Sequence, residues 1–490
     1  MKESILYFAE NSINYLFDLQ EKFYKDPKDV ASFVYGIADE MNKVGLMMIK
    51  ETLEHMDTLI RINPRRKESW YVEKISDKQL ITSLGAINFK KTLYTNKKSR
   101  EMKYLLDDVI GLLPHERMTE DAQAKMLEEA VQTSYRRAGD SASISSGVSK
   151  QTVKNKLHAL KFPEDIKPKE KKVVDYLYID ADEDHVSLQF NNKKGDLEKS
   201  VNGRKINGMI AKLAYVYEGI ERESPKSKRH KLINPHYFSS GSVDETNDQF
   251  WDRVFEYIED TYDIFQIKKI YLNGDGGTWI KGAKKYRDGI VYVLDEFHMN
   301  KYIGKMVGHM KDSADDVRHE IKRTIKECSK DTFVKLSNTL ETYAKTEEEL
   351  TRIATGRDYI LSNWNAAKVR LKNRDIVKGC SAEGHVSHIL SSRMSSRPMG
   401  WSKTGADVMS RLRVYYYNKG DMLELVRYQR TERAKAAGCE EEFDEQKYYR
   451  KIMTAQNYDT GELGKYTEIM NHHLSLQKRK QIYFSRQILL

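Results

Sequence analysis

Three carboxylates of this 490-residue chain stand where acid chemistry could be done: Asp180 in YLYIDADEDH, Asp275 in NGDGGTWI and Glu383 in CSAEGHVSHIL. Ile270, Tyr271 and Leu272 make a run long enough for a buried strand, and Asn273, Gly274, Gly276 and Gly277 are turn formers that stop it. Asp275 is thereby placed at a strand's carboxyl end, where ligands gather in open α/β sheets, and small neighbours leave it open to a metal or a phosphate. Alone, the same Asp-Gly pair reads equally as a cap for a helix starting near Thr278. Two-metal phosphoryl transfer needs carboxylates from distant parts of a chain converging on two Mg²⁺ ions about 3.5–4 Å apart, one activating the attacking oxygen and one stabilising the leaving oxygen. Mg²⁺ takes hard oxygen ligands and usually binds through few protein carboxylates plus water and substrate phosphate. Asp180, Asp275 and Glu383 suit that need. Asp182, Asp184, Asp295 and Glu296 compete with them. Asp182 shares a strand side with Asp180 if the strand continues, but its expected place is a solvent-facing turn. Asp295 and Glu296 begin a helix, where a carboxylate gains a few tenths to about 1 kcal/mol from the dipole alone. His298 is read as orienting a phosphate or packing beneath the site.

The elements that must position these groups follow from periodicity. Val173, Val174, Tyr176, Leu177, Tyr178 and Ile179 predict a buried strand ending at Asp180, and Val186, Leu188 and Phe190 a second strand paired with it through the acidic turn. Ala211–Glu218 reads as a third strand, Glu245–Phe265 as an amphipathic helix, Ile270–Leu272 and GIVYVL as strands separated by a helix with Trp279 and Tyr286. Three strands, then helix, strand, helix, strand is the order of an α/β ribonuclease H-like core, with the first strand central and the fourth beside it. Asp180 and Asp275 are then expected side by side. The expected layout is an N-terminal helical segment (1–62), a β-hairpin region (63–118), a helix-turn-helix region (119–165) and the first part of the core (171–301). A helical insertion (302–375), the core's last helix with a basic segment (376–420) and a charged helical tail (421–490) complete it. The tail, with its basic run at 477–480, reads as flexible or partner-binding.

Within 119–165, a helix from about Asp121 to Arg136 is followed by GDSASISSGVS and by SKQTVKNKLHAL. Gly147 supplies a turn, Ser149 a cap, and Val153 and Leu157 an inward side, so Lys150, Gln151, Lys154 and Asn155 face out. In a helix-turn-helix that face enters the DNA major groove, Lys on phosphates and Gln or Asn on base edges; the plain alternative is a solvated helix pair. Arg393, Arg397 and Lys403 flank Trp401, a basic segment that could hold a DNA end with a base stacked on the indole, or whose Trp401 could simply pack inward.

Composition narrows the classes. Lys and Arg total 83 against 73 Asp and Glu, a net charge of +10, a modest excess compatible with a polyanionic partner. Three cysteines without a C-x-x-C pair speak against a disulfide framework and a Cys-rich zinc site and fit a reducing cytoplasm. His385 and His388 with Cys380 lack zinc spacing. The N-terminus carries acids within its apolar stretch, and no apolar run reaches membrane-spanning length, so neither a signal peptide nor membrane association is expected. Asn273–Thr278 lacks the G-x-x-x-x-G-K-[ST] pattern of a nucleotide-binding loop.

The succession YIDAD, NGDGGTWI, DEFHMNKYI and CSAEGHVSHILSSRMSSRPMGWS resembles the ISLre-type insertion-sequence transposases, a family once catalogued under an uncharacterised-family heading. Asp295, Phe297 and His298 also resemble the Asp-x-Phe-His element of Mutator-type transposases. The likeness covers most of the chain. It implies a DDE transposase with a ribonuclease H-like core and a helical insertion before the Glu, with Asp180, Asp275 and Glu383 as catalytic metal ligands. Two Mg²⁺ ions, replaceable by Mn²⁺, element ends and target DNA as partners, and a homo-oligomer on DNA are implied with it. A ribonuclease H-like nuclease and a DNA-binding regulator derived from a transposase are the competing readings.

Overall fold

A computed structural model of the chain describes residues 3–165, 167–190, 198–199, 205–241, 245–377 and 382–436. Most of the basic loop after Phe190, Cys380, Cys439 and the basic run at 477–480 lie outside the described residues. The chain divides into two compact units, Met1–Val153 with the segment that begins at Met422, and Lys154–Asp421.

The first unit is built on the long helix Val30–Ile62, which Asp29 opens by accepting from the Ser32 amide. Asn63 ends it and caps the next short helix, Pro64–Ser69, whose first residue is the proline that a helix start tolerates. The expected hairpin follows as antiparallel strands Trp70–Ile81 and Ala86–Asn96. Its inner side (Leu80, Ile87, Phe89, Tyr94) packs with Ile60, Leu105, Leu106 and Val109. Asp57 pins the long helix to it by accepting from the Thr92 amide at 2.9 Å and hydroxyl at 2.6 Å. Helices Glu120–Gln132 and Tyr135–Ser141 come next, and the Val148 amide donates to the Gly139 carbonyl at 2.9 Å. A Cβ at Gly139 would collide with the Val148 carbonyl, so the turn closes only on glycine. The start of the segment read as a flexible or partner-binding helical tail is the helix Met422–Ala436, and it packs on Glu120–Gln132, with Arg430 on Glu120 at 2.8 Å. Its charges hid a buried stripe of Met422, Leu425 and Val426.

In the second unit we number the strands of the larger sheet β1 (Tyr176–Ser187), β2 (Gly208–Tyr217), β3 (His236–Ser240), β4 (Lys269–Gly274) and β5 (Ile290–Leu294). Their order is β3-β2-β1-β4-β5. β1, β2 and β3 pair antiparallel in sequence, while β4 runs parallel to both β1 and β5. This mixed sheet corrects two expectations. No turn forms in DADED: β1 runs straight through it, and β3 comes from the stretch after the basic excursion. Aspartates form turns in general, but here alternation governs, with Ala181 buried on one face and Asp180, Asp182 and Asp184 sharing the other.

Leu177, Ile179, Ala181, Ile270 and Leu272 pack on Phe250, Trp251, Val254 and Ile258 of α1 (Asn247–Thr261). The same core continues through α2 (Glu296–Val307) into the insertion, which forms α3 (Ala314–Glu327), α4 (Lys330–Thr342), α5 (Glu347–Ser362) and α6 (Trp364–Lys372). Across the opposite face run Tyr176, Tyr178 and Tyr271 with Val293, Val369 and Val377, and α7 (Ala382–Val386) packs on β1. Last comes α8 (Lys403–Tyr417), against β3.

Candidate functional site

The register of β1 against β4 sets Asp180 beside Asn273. Two residues further along each chain, at the carboxyl end of β4, come Asp182 and Asp275. Asp180 itself is fully buried. One of its oxygens accepts from the Tyr215 hydroxyl at 2.9 Å, the other from Tyr217 at 3.1 Å and from the Asn273 amide at 2.6 Å. The Asn273 side-chain oxygen in turn accepts from Arg370 at 2.6 Å, and Arg370 also donates to the carbonyls of Leu294 and Val377 at 2.9 and 3.0 Å. This chain of donors joins β1, β2, β4, β5 and α6 beneath the strand ends. Burial of a carboxylate is tolerated when donors surround it.

Asp182 and Asp275 are both partly exposed. Asp275 receives the Gly277 amide at 2.8 Å, and its main-chain carbonyl accepts the hydroxyl of Tyr359 on α5. Gly276 has a φ of +106°, a backbone that only glycine adopts without strain, and it lets the chain turn away directly after the carboxylate. Burial pushes the Asp182 carboxyl up to about 6, and the negative charge of Asp275 and, less strongly, of Asp295 acts in the same direction. His298 opposes it. Asp295 caps α2, accepting from the His298 amide at 3.0 Å and lying 2.9 Å from its Nδ1. That bond, more than the nearby charges of Asp182 and Asp275, raises the His298 pKa. The structure therefore gathers Asp182, Asp275, Asp295 and His298 at one place. Glu296 points elsewhere and pairs with Arg374 at 3.1 Å.

Glu383 is exposed on α7. Two residues on, the His385 ring lies 4.6 Å from that of Tyr215 and its Nδ1 is 3.1 Å from the Tyr237 hydroxyl. Burial drives the His385 pKa down to about 4, which favours the neutral ring. The charges that weigh on Asp182 come from β4 and α2, not from α7. Asp184 is buried, with one oxygen accepting from Ser395 at 2.9 Å. Among the described residues no three His, Cys, Asp or Glu side chains converge closely enough to hold a metal ion.

The expected basic surface around Trp401 separates into parts. Trp401 is buried, donates its indole hydrogen to the Met394 carbonyl at 2.9 Å, and carries the buried Arg393 guanidinium 4.9 Å from its ring. Neither offers a face to a base, because each covers the other. Arg397 and Lys403 remain exposed. In the helix Lys150–His158, Val153 and Leu157 are buried while Lys150, Gln151, Lys154 and Asn155 are exposed, the division that the spacing predicts.

The buried frame of Asn273, Tyr215, Tyr217 and Arg370 was not singled out from the sequence. The alternation of Tyr215 and Tyr217 hints at a shared face, but nothing local marks Arg370 or Tyr359, whose roles depend on how the insertion returns to the sheet.

Among described residues no helix is long and apolar enough to cross a membrane. A solved structure of the Drosophila P element transposase strand transfer complex aligns with 71% of this chain and 94% of that one at 11% identity, with a TM-score of 0.23, too low to carry any argument. Relatives are closer in sequence. A UPF0236 protein of Caldanaerobacter subterraneus subsp. tengcongensis is 34% identical over 425 residues, 86% of this chain and 85% of its own, and its name joins eleven locus designations. A second from that organism, named for four loci, is 35% identical over 424 residues, 86% of this chain and 84% of its own. A UPF0236 protein in the vanSb 3′ region of Streptococcus gallolyticus is 23% identical over 402 residues, 79% of this chain and 83% of its own. Residues 28–432 match the family as a whole, and the chain belongs to the uncharacterised protein family UPF0236.

Proposed function

We propose that this protein is a DDE-type DNA transposase of an ISLre-type insertion sequence, with a ribonuclease H-like core, and that Asp182 and Asp275 form its central carboxylate pair. The observation that carries the reading is the parallel pairing of β1 with β4, which brings two acids from 93 residues apart together at the carboxyl end of β4. The strand order 3-2-1-4-5 supports a ribonuclease H-like core, and the motif succession supports the family reading. Relatives named for eleven and four loci add to it, since a protein present at many loci is what an element that moves or copies itself leaves behind.

The donor set fits Mg²⁺. A carboxylate such as Asp182, whose proton affinity is raised by burial and by the neighbouring charge of Asp275, is relieved by a hard cation, and Mg²⁺ needs few protein ligands when water and substrate phosphate complete its shell. Asp182 and Asp275 would hold it, with Glu383 assigned as third acid by the resemblance alone. Bound Mg²⁺ supplies charge stabilisation to the attacking and leaving oxygens of the phosphodiester. The chain's own part is positioning. The Gly277 amide and the Tyr359 hydroxyl fix Asp275, the buried Asp180 frame fixes the strand under Asp182, and His298, whose proton affinity the Asp295 bond raises, lies beside the pair where a phosphate oxygen would accept from its ring. The proposed reaction is hydrolysis at the element end, freeing a 3′-hydroxyl that then attacks a target phosphorus, the new P–O bond replacing the bond to the target's own 3′-oxygen, which leaves as a hydroxyl.

The test is Mg²⁺-dependent nicking and strand transfer with the full chain on duplexes carrying the DNA ends that flank its coding sequence. Nicking followed by joining is expected. Nicking without joining would leave a nuclease, and sequence-specific binding with neither would leave a regulator.

A further inference from the structure

Beyond the carboxylate pair, α2 and α5 enclose a cleft of about 380 Å³ lined by Lys301, Gly304, Lys305, Gly308, His309, Glu349 and Arg352. The helices cross closely because Gly356 of α5 has no side chain: a Cβ there would stand 2.7 Å from the Tyr302 carbonyl. Further along α2, Gly304 meets nothing within 4 Å of its own missing Cβ, so the cleft floor is bare backbone between the lysines of neighbouring turns.

The charge is one-sided. Lys301, Lys305 and Arg352 converge there with His309, whose Nε2 lies 3.2 Å from the Leu340 carbonyl and so carries its hydrogen. The one lining acid, Glu349, is turned into its helix start, accepting from the amides of Lys345 and Thr346 at 2.6 and 3.2 Å. At the rim Arg352 pairs with Glu348 at 2.6 Å, an exposed bond that an incoming anion can exchange.

The cleft also leads to the site. Lys305 Nζ sits 4.3 Å from the Tyr302 ring centre, Tyr302 stacks on Tyr359 at 3.7 Å, and Tyr359 donates to the carbonyl of Asp275. We propose that this cleft grips the phosphate backbone of the DNA whose phosphodiester is presented to Asp182 and Asp275, so that the insertion acts as a second, sequence-independent DNA clamp. This rests on the proposed function. Lysines and arginine around a side-chain-free floor suit a strand's phosphates, which carry the affinity but not the sequence choice.

The experiment measures binding of the full chain to a 30-base-pair duplex by fluorescence anisotropy across a salt series, beside the nicking assay. Lys301→Ala with Lys305→Ala should weaken binding about tenfold at moderate salt, and should flatten the log–log salt dependence by nearly 2, about 0.9 for each phosphate contact. Gly304→Leu keeps every charge and has room in the fold, so its melting temperature should hold while DNA affinity drops. Unchanged affinity and slope in both variants, from a chain that still nicks DNA, would overturn the clamp alone. A wild-type chain that binds no DNA would overturn both the clamp and the function on which it rests. Displacement of the duplex by micromolar pyrophosphate, lost in Gly304→Leu, would assign the cleft to a small phosphate and overturn the clamp as well.

Discussion

Asn273 donates its side-chain amide to the carboxylate of Asp180 at 2.6 Å, two residues along each chain before Asp275 draws level with Asp182. Two aspartates on one strand thus have different surroundings: Asp180, expected as a metal ligand, is buried and bonded to donors of two neighbouring strands, and Asp182 is partly exposed beside the open end of β4.

Separating stability from catalysis tests that division. Asp180→Ala leaves three buried donors without their acceptor, each unpaired group costing about 1–3 kcal/mol, so urea unfolding should show a loss of about 3 kcal/mol or more. Asp182→Ala should unfold at least as late as wild type yet fail to nick DNA. An Asp180→Ala protein as stable as wild type would show that the carboxylate is no structural tie.

The pH dependence of folding reports Asp182 by itself. Its folded pKa, raised to about 6 by burial and then by Asp275, exceeds the ordinary aspartate value of about 3.9. The folded state therefore binds the proton more tightly than the unfolded state. The contribution is complete below about pH 4 and is lost as pH rises through 6, up to about 2–3 kcal/mol. In EDTA, Asp182→Asn should consequently be more stable than wild type at pH 7.5, with the gap closing by pH 4. Equal stabilities at both pH values would remove the strain assigned to this carboxylate.

Periodicity made the hairpin, the helical insertion and the strand ending at Asp275 legible, because each is a local pattern. The DADED stretch misled for a physical reason: three clustered aspartates favour a turn unless donors from other strands receive one of them, and Tyr215, Tyr217 and Asn273 do so from as far as 93 residues away. For Trp401 the sequence left two readings, stacking on a base and packing inward, and the structure takes the second, with Arg393, a residue read as part of the surface, against its ring. The Met422–Ala436 helix was legible as a helix. Its partner, Glu120–Gln132, lies about 300 residues earlier in a pattern that gives no sign of needing cover.

For the helix Lys150–His158, exposure of Lys150, Gln151, Lys154 and Asn155 over buried Val153 and Leu157 leads to split effects on DNA binding. Lys154→Ala in the full chain should weaken binding to every sequence and lower the salt slope by about 0.9, whereas Gln151→Ala or Asn155→Ala should narrow the preference for element ends over random DNA, by about 1–3 kcal/mol per lost base contact. Competition titrations with both DNAs measure it. Equal losses on both DNAs from all three variants would make this face a phosphate contact without sequence reading.

The third acid is the remaining choice, and Glu383 and Asp295 part on structural grounds. Glu383 is exposed in the first turn of a five-residue helix, so Glu383→Gln should leave the melting temperature within a degree or so of wild type and abolish nicking if it completes the metal site. Asp295 is buried, caps α2 and holds His298; asparagine keeps a capping oxygen, so Asp295→Asn should cost less than the ~0.5–2 kcal/mol of stability that alanine would. It should also lower the His298 pKa, visible by NMR of the imidazole, because the Asp295 bond is the main cause of its elevation. Its nicking rate should fall with His298 protonation and recover at lower pH. A dead Asp295→Asn that no pH rescues, beside a Glu383→Gln that nicks normally, would move the third ligand from α7 to the start of α2.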